Sequence, residues 1–438
     1  MAKQKQKKKN IRLRRQIRKT LGTICLITAL VVAAIPVQEV SADASATKYT
    51  WDTEIFDKGK SKIPVVPADC DTIYTTGDGT YQFAFVNESD TSSNKIAVIL
   101  GYNGGTLENN YLEIPNTVEA YTKFSENQGT KTGYVAVSRN QQPLYYKVVT
   151  SESVQDASGN DITSEEVEYK PCYYVDYDKW SSLDLSEFYY KNSSGAYVQT
   201  ISQQDQWIKD LEVKYIGNQS LTANTNAGSA DGAVQEWVIK EAQGQINTDP
   251  ESGIFATESN IRTLVVGDKL VGIGNYAFYG CTNLENIQLG NGLEEVGKYA
   301  FANCANMSSV GIDFTSRLTY ISDYTFLNCR ALTSFQLPSS VTTIYDHAFE
   351  GCTRLGTNGG TLDLAGLQAN KNVTLEKLGY YVFKGCTGLT EIVLPELIDS
   401  ADDVVYLNNF ESCISLKHIV AQSPDTTFQG DTNFTVDD

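Results

Sequence analysis

The chain has 438 residues, of which 53 are acidic and 35 basic, with 41% hydrophobic and 11% aromatic side chains. That length is a prior for two or three domains, each large enough to bury a core of its own. The acidity argues against nucleic acid or an anionic membrane surface as partner, because both are bound through clustered Lys and Arg.

Ten of the first twenty residues are Lys or Arg, and the apolar run LGTICLITALVVAAIPV follows them and gives way to SADASA. This is the layout of a secretory signal peptide over residues 1–42, with cleavage after Ala42. A spanning helix needs about 20 apolar residues, and this run is shorter and interrupted by Pro36. Cys25 lies inside the run rather than at its end, so it reads as part of the discarded peptide and not as a lipid anchor. Cleavage leaves 25 basic and 52 acidic residues, a net charge of −27. The expected location is secreted, extracellular or at the cell surface, with no membrane span after cleavage.

Residues 43–260 carry a net charge of −17 and 17 of the 26 tyrosines. Alternating runs such as TYQFAFV, KIAVILGY, GYVAVS and LYYKVV, bounded by GDG and NGG, predict antiparallel strands. DASGNDITSEE has the flavour of a calcium loop, but Asp161 replaces the required Gly and Val167 the closing carboxylate, so it reads as a surface turn. The stretch CYYVDYDKWSSLDLSEFYY offers Tyr173, Tyr174, Tyr177 and Trp180 either as a stacking platform for sugars or a peptide or as an ordinary β core. Aromatics are strand formers first, which favours the core. Cys70 and Cys172 stand outside any repeat, and in an oxidising compartment a disulfide between them and two separate thiols both remain open. TISQQDQWIKDLEVKYIG reads as a short helix followed by a strand.

From about residue 261 the sequence becomes periodic. The pair Phe-x-x-Cys recurs six times, at Phe278 and Cys281, Phe301 and Cys304, Phe326 and Cys329, Phe349 and Cys352, Phe383 and Cys386, and Phe410 and Cys413. The steps between phenylalanines are 23, 25, 23, 34 and 27 residues, the length of leucine-rich repeats with inserts in two of them. After each Cys comes a strand-like phrase, LENIQL, MSSVGI, LTSFQL, LTEIVL or LKHIVA, with its later apolar positions on one face. In LPSSVTTIYDHAF, Pro338 and the two serines break the strand, and Val341 and Ile344 cover the core at helical spacing. Each repeat then buries its apolar edge only against its neighbours. The six cysteines read as a ladder of small buried side chains, since zinc sites use close pairs and parallel stacking holds these residues too far apart for disulfides. No metal and no cofactor is expected.

The pattern at Leu332 to Arg354 resembles the BspA-like bacterial leucine-rich repeat, and the resemblance covers residues 261–420. It implies a right-handed leucine-rich-repeat solenoid with a parallel concave sheet, preceded by a β-rich region, an α+β repeat fold. It also implies a surface or secreted protein of the adhesion and host-interaction type, and it carries over no binding residue. ILGYNGGTLENNYLEIPNTVEAY resembles a degenerate opening repeat near 95–120, which makes residues 120–260 an insert or a cap. Residues 421–438 read as a tail.

Two histidines, His347 and His418, both lie inside repeats, so residues 43–260 have none to serve a Ser or Cys nucleophile. His347 reads as a solvated turn position, and His418 as an outward place on the last strand. VGIGNYA imitates a dinucleotide fingerprint, but it is in phase with VGKYAF and IYDHAF and no βαβ helix follows. The expected function is therefore binding of an extracellular protein or glycan, not catalysis, with Asn286, Gln288, Ser334, Gln336 and Glu391 lining the sheet. A secreted glycan-active hydrolase targeted by its repeats is the alternative, because a pair of carboxylates is invisible in sequence. A self-associating surface layer is a third reading.

Overall fold

The computed structural model describes residues 73–87, 95–104, 107–125, 132–137, 142–155, 161–200, 208, 210–218, 221–223, 233–234, 237–239, 250, 253–312, 317–357, 361–365, 374–397, 404–422 and 426–430. The expected signal peptide, Cys70 and the helix expected over 200–209 lie outside these residues, apart from Thr200 and Ile208. All described residues belong to one unit, 60–438.

All but one of the described repeats contribute a strand that alternates between solvent and core. Tyr111–Ile114, Thr263–Val266, Asn286–Leu289 and Ser309–Ile312 form one parallel sheet in that order. Thr361–Asp363, Glu391–Leu394 and His418–Ala421 form a second. Inward side chains such as Leu264, Ile287, Leu362 and Ile419 are buried, while their neighbours along the strand face outward. Between the two sheets, Ser334–Leu337 keeps the alternating burial but is not paired as a strand, unlike the expectation for LTSFQL. Phe335 fills the inward place that neighbouring repeats give to Leu, Ile or Val. Its ring packs 5.5 Å from that of Phe326 and 4.8 Å from that of Phe349.

A second row of two-residue parallel strands follows, with Leu211–Ile216, Gly272–Ile273 and Glu295–Val296 in one sheet. Tyr320–Ile321, Thr343–Ile344 and Lys377–Leu378 continue it in another. The spacing of Val341 and Ile344 predicts a helix, and the structure has a strand there instead. Two-residue pairing satisfies the backbone between neighbouring repeats 23 residues apart, as at Gly272 with Glu295 and Tyr320 with Thr343. Among the described residues the α-helix amounts to Tyr177–Trp180, so the α part of the expected α+β fold is nearly absent. The glycines of VGIGNYA serve this row: a Cβ on Gly274 would stand 2.1 Å from the carbonyl oxygen of Gly217.

The strongest periodic element is the turn around each Phe. The rings of Phe255, Phe278, Phe301, Phe326, Phe349, Phe383 and Phe410 stack in one file, with centroids 4.8 to 6.1 Å apart and planes within 16° of parallel. The long steps of 34 and 27 residues leave the rings 5.7 and 6.1 Å apart, so the inserts do not reach the file. The N–H of each of the first six phenylalanines donates across to the next repeat, for example Phe278 to the Ala300 carbonyl at 2.8 Å and Phe326 to Ala348 at 2.9 Å. The carbonyl of each of these six accepts the thiol of the next repeat's cysteine. Cys281 donates to Phe255 at 3.1 Å, Cys304 to Phe278, Cys329 to Phe301 and Cys352 to Phe326 at 3.2 Å, Cys386 to Phe349 at 3.3 Å and Cys413 to Phe383 at 3.0 Å. The cysteines are thus hydrogen-bonding members and not merely small apolar fillers, and all six are free and buried.

The turn needs unusual backbone. Two residues after each of the seven phenylalanines φ is positive, at Thr257, Gly280, Asn303, Asn328, Gly351, Gly385 and Ser412. Gly and Asn tolerate that region best, which explains the GC and NC endings. The file starts at Phe255, before the expected boundary at 261, because Glu258 occupies the cysteine place there. At the other end Thr427–Gln429 pairs in parallel with Val404–Tyr406, so the expected tail still packs on the repeats.

Tyr111–Ile114 is paired in parallel with Thr263–Val266, Leu112 opposite Leu264, which seats the opening segment near 95–120 on the repeat sheet. Between it and Leu211–Ile216 the chain leaves to build a separate antiparallel sheet in the order Tyr197–Gln199, Phe188–Lys191, Tyr145–Gln155, Asp161–Pro171. Burial of a Phe ring within the file sets the scale of repeat cohesion. Phe301→Ala is expected to lower stability by about 3–5 kcal/mol and Cys329→Ala by about 1–2 kcal/mol, both read from urea unfolding; equal losses would deny the rings their leading role.

Candidate ligand-binding face

The outward positions of the parallel strands fall into two rows because the pairing is in register. Tyr111, Thr263, Asn286 and Ser309 stand side by side, and Glu113, Val265, Gln288 and Gly311 form the row beside them. In the second sheet Thr361, Glu391 and His418 are adjacent, as are Asp363, Val393 and Val420, of which Val393 is buried. Asn286, Gln288, Ser334 and Gln336 are exposed and Glu391 is half-buried. Cross-strand bonds already link the rows: the Ser309 hydroxyl donates to Asn286 Oδ1 at 3.4 Å, and Thr361 to Glu391 Oε1 at 3.2 Å. Tyr111 and Glu113 extend the face beyond the residues visible from the repeat alone, because their phrase lacks the Phe-Cys signature. Such a surface offers amide and hydroxyl donors and acceptors at strand spacing, with the carboxylates of Glu113, Glu391 and Asp363 among them.

The aromatic stretch after Cys172 divides. Tyr173 and Trp180 are buried, and the Trp180 indole N–H donates to the Tyr173 carbonyl at 2.8 Å. Trp180 packs with Tyr121, Cys172 and Phe188, so neither residue presents a face to a ligand. This corrects the four-residue platform. Tyr174 and Tyr177 reach solvent, with Tyr174 lying over Gly77, where no Cβ would fit. Glu119 accepts from the hydroxyls of Tyr121 at 3.1 Å and Tyr177 at 3.4 Å. Burial, then this carboxylate, pushes both phenols above their ordinary range. Cys172 is a free, buried thiol pushed up by desolvation, and its expected partner Cys70 lies outside the described residues.

A second aromatic file, not foreseen, runs along the repeats through Tyr276, Tyr299, Tyr324, His347 and Tyr381, with centroids 4.4 to 5.1 Å apart. Each sits at positive φ two residues before its Phe. His347 is therefore half-buried between two tyrosine rings, its Nδ1 2.5 Å from Glu350 Oε2, and not a solvated turn. His418 is exposed on its strand, opposite Glu391. Among the described residues no group of three or more His, Cys, Asp or Glu could hold a metal ion, and no helix is long and apolar enough to cross a membrane.

The family model described as the BspA type leucine rich repeat region matches in six copies, over residues 249–358 and 363–435. No curated protein matches the chain. Among solved structures it is similar to the T. pallidum leucine-rich repeat protein TpLRR, at 23% identity over 39% of this chain and 61% of that one, TM-score 0.26. It is also similar to a leucine-rich cell surface protein of Faecalibacterium prausnitzii A2-165, at 13% identity over 82% and 99%, TM-score 0.27. A third is the pneumococcal vaccine antigen PcpA, at 17% over 51% and 48%, TM-score 0.27. The chain spans about three fifths of the length of the first of these.

Glu258 stands at the first rung of the file in place of cysteine. Desolvation raises its carboxyl above the usual range. A raised folded-state value means that the favourable contribution belongs to the protonated form: it is present below the unfolded-state value and lost as pH rises through the folded one. Glu258→Gln is expected to raise the melting temperature at pH 7 and to leave it unchanged near pH 4. A gain of the same size at both values would refute the assignment.

Proposed function

We propose that this BspA type leucine-rich-repeat protein is exported and binds an extracellular protein or glycan along the outward rows of its parallel sheet. In this reading the repeats wind as a right-handed solenoid, the sheet is its concave side, and the chain is not an enzyme. The observation that carries it is the pair of in-register rows: Asn286 and Gln288 are exposed on strands whose opposite face is wholly core. Side chains fixed by such a strand lose little freedom on binding, and that raises affinity without added area. A leading segment rich in Lys and Arg followed by an apolar run supports export.

The test presents the full secreted chain to matrix proteins and to a glycan array, with a reducing-sugar assay in parallel. Asn286→Ala with Gln288→Ala is expected to weaken the captured ligand about tenfold, equivalent to about 1.4 kcal/mol, with an unchanged melting temperature. Sugar release abolished by replacing a single carboxylate would sink this reading in favour of a hydrolase.

A further inference from the structure

The inserted antiparallel sheet ends on an open strand. Asp161–Pro171 is the outermost strand in the order Tyr197–Gln199, Phe188–Lys191, Tyr145–Gln155, Asp161–Pro171, and it is paired with Tyr145–Gln155 over eleven residues without a register shift. Its base packs against the molecule through Tyr145 and Pro171, whereas Val149 and Val167, which face each other across the hairpin, are 46% and 45% exposed.

Pro171 fixes which way the backbone points. It stands opposite Tyr145 and has no N–H, so that pair is of the type that exchanges no hydrogen bonds, and the alternation of an antiparallel ladder follows from it. The N–H and C=O groups of Thr163, Glu165, Val167 and Tyr169 then point away from the hairpin, while those of Ser164, Glu166 and Glu168 point into it. The Thr150 hydroxyl, which reaches the Glu166 carbonyl from the paired strand, agrees with that assignment. Among the described residues no backbone partner meets the outward groups. A long edge of this kind is a template for a further strand, and natural proteins block such edges when they are not used.

The side chains choose the occupant. Glu165, Glu166 and Glu168 are exposed on this strand, with Lys170 paired to Glu168 at 3.1 Å, and Glu152 is exposed on the neighbouring one. A second copy fits poorly, because antiparallel self-pairing centred on Val167 or on Glu166 sets carboxylate against carboxylate. The geometry points to the outer edge of Asp161–Pro171 as a strand-addition site for an extended, Lys- or Arg-rich segment of a partner protein. Opposite Glu168, Val167, Glu166 and Glu165 the added strand carries basic, apolar, basic and basic residues in turn. This site is separate from the repeat face, so it stands or falls independently of the function proposed above.

The probe is a fluorescein-labelled, acetylated peptide with the central run Lys-Val-Lys-Lys flanked by threonines, titrated into the full chain at low salt and followed by anisotropy. Three controls accompany it: the Glu-Val-Glu-Glu counterpart, the Lys peptide N-methylated through its central run, and the chain carrying Glu165→Gln, Glu166→Gln and Glu168→Gln. Binding of the Lys peptide alone, weakened about tenfold or more in the triple variant and lost on N-methylation, is the expected result. The N-methylated peptide leaves the protein untouched, so a folding defect cannot imitate that loss. Equal binding of the N-methylated peptide would reduce the effect to adsorption on an acidic surface and overturn the proposal. So would unchanged binding by the triple variant, binding lost instead in the Asn286→Ala, Gln288→Ala protein, or sedimentation showing a dimer that the triple variant alters.

Discussion

Everything in the repeat half depends on the peptide unit of one phenylalanine per repeat. Its N–H reaches a carbonyl of the following repeat, its carbonyl takes the following repeat's thiol, and its ring lies on the following ring. The three contacts act in the same direction, from one repeat to the next, so a repeat is complete only when its successor is in place. Burial of the rings supplies most of the cohesion, since a phenyl group removed from water outweighs a single weak thiol hydrogen bond. The thiol fixes register instead: serine would bring a shorter, more strongly hydrated donor to the same carbonyl, and alanine none. The longer steps before Phe383 and Phe410 are tolerated for the same reason: the file passes them with its spacing nearly unchanged.

Much of this was legible in the sequence because it repeats. Six in-phase Phe-Cys pairs locate the core file, and the alternating phrases after them locate the outward rows on which Asn286, Gln288, Ser334 and Gln336 stand. What escaped is what does not repeat in letters. Phe255 stacks with Phe278 at 4.8 Å but lacks a cysteine, and Glu258 in its place hid the first rung. Tyr276 and His347 occupy the same position, yet a histidine among tyrosines gives no signal until the rings are seen to stack. Trp180 and Tyr173 went the other way: an aromatic-rich phrase carries no mark of which rings face the core, and the indole N–H bonded to a backbone carbonyl settles it. The short second strands read as helix because Val341 and Ile344 stand three apart, a helical spacing, and a strand of two residues is too short to show a period of its own.

The molecule thus presents two surfaces of different character. The repeat face presents mostly polar side chains, with Glu113, Asp363 and Glu391 among them, on strands whose backbone is paired except at Ser334–Leu337. The hairpin edge offers unpaired backbone and carboxylates. Their separation follows from topology, since the antiparallel sheet is an excursion of the chain between Val118 and Leu211, the residues paired at its entry and exit.

The interruption at Ser334–Leu337 has a mechanical meaning. On either side of it the outward strands are paired from repeat to repeat; across it the phenylalanine file, the tyrosine-histidine file and the short second strands continue. In elastic terms the repeats are two stiff plates in series with a compliant seam between them. Bending under load is expected to concentrate at that seam, beside Phe335 and the rings of Phe326 and Phe349 against which it packs.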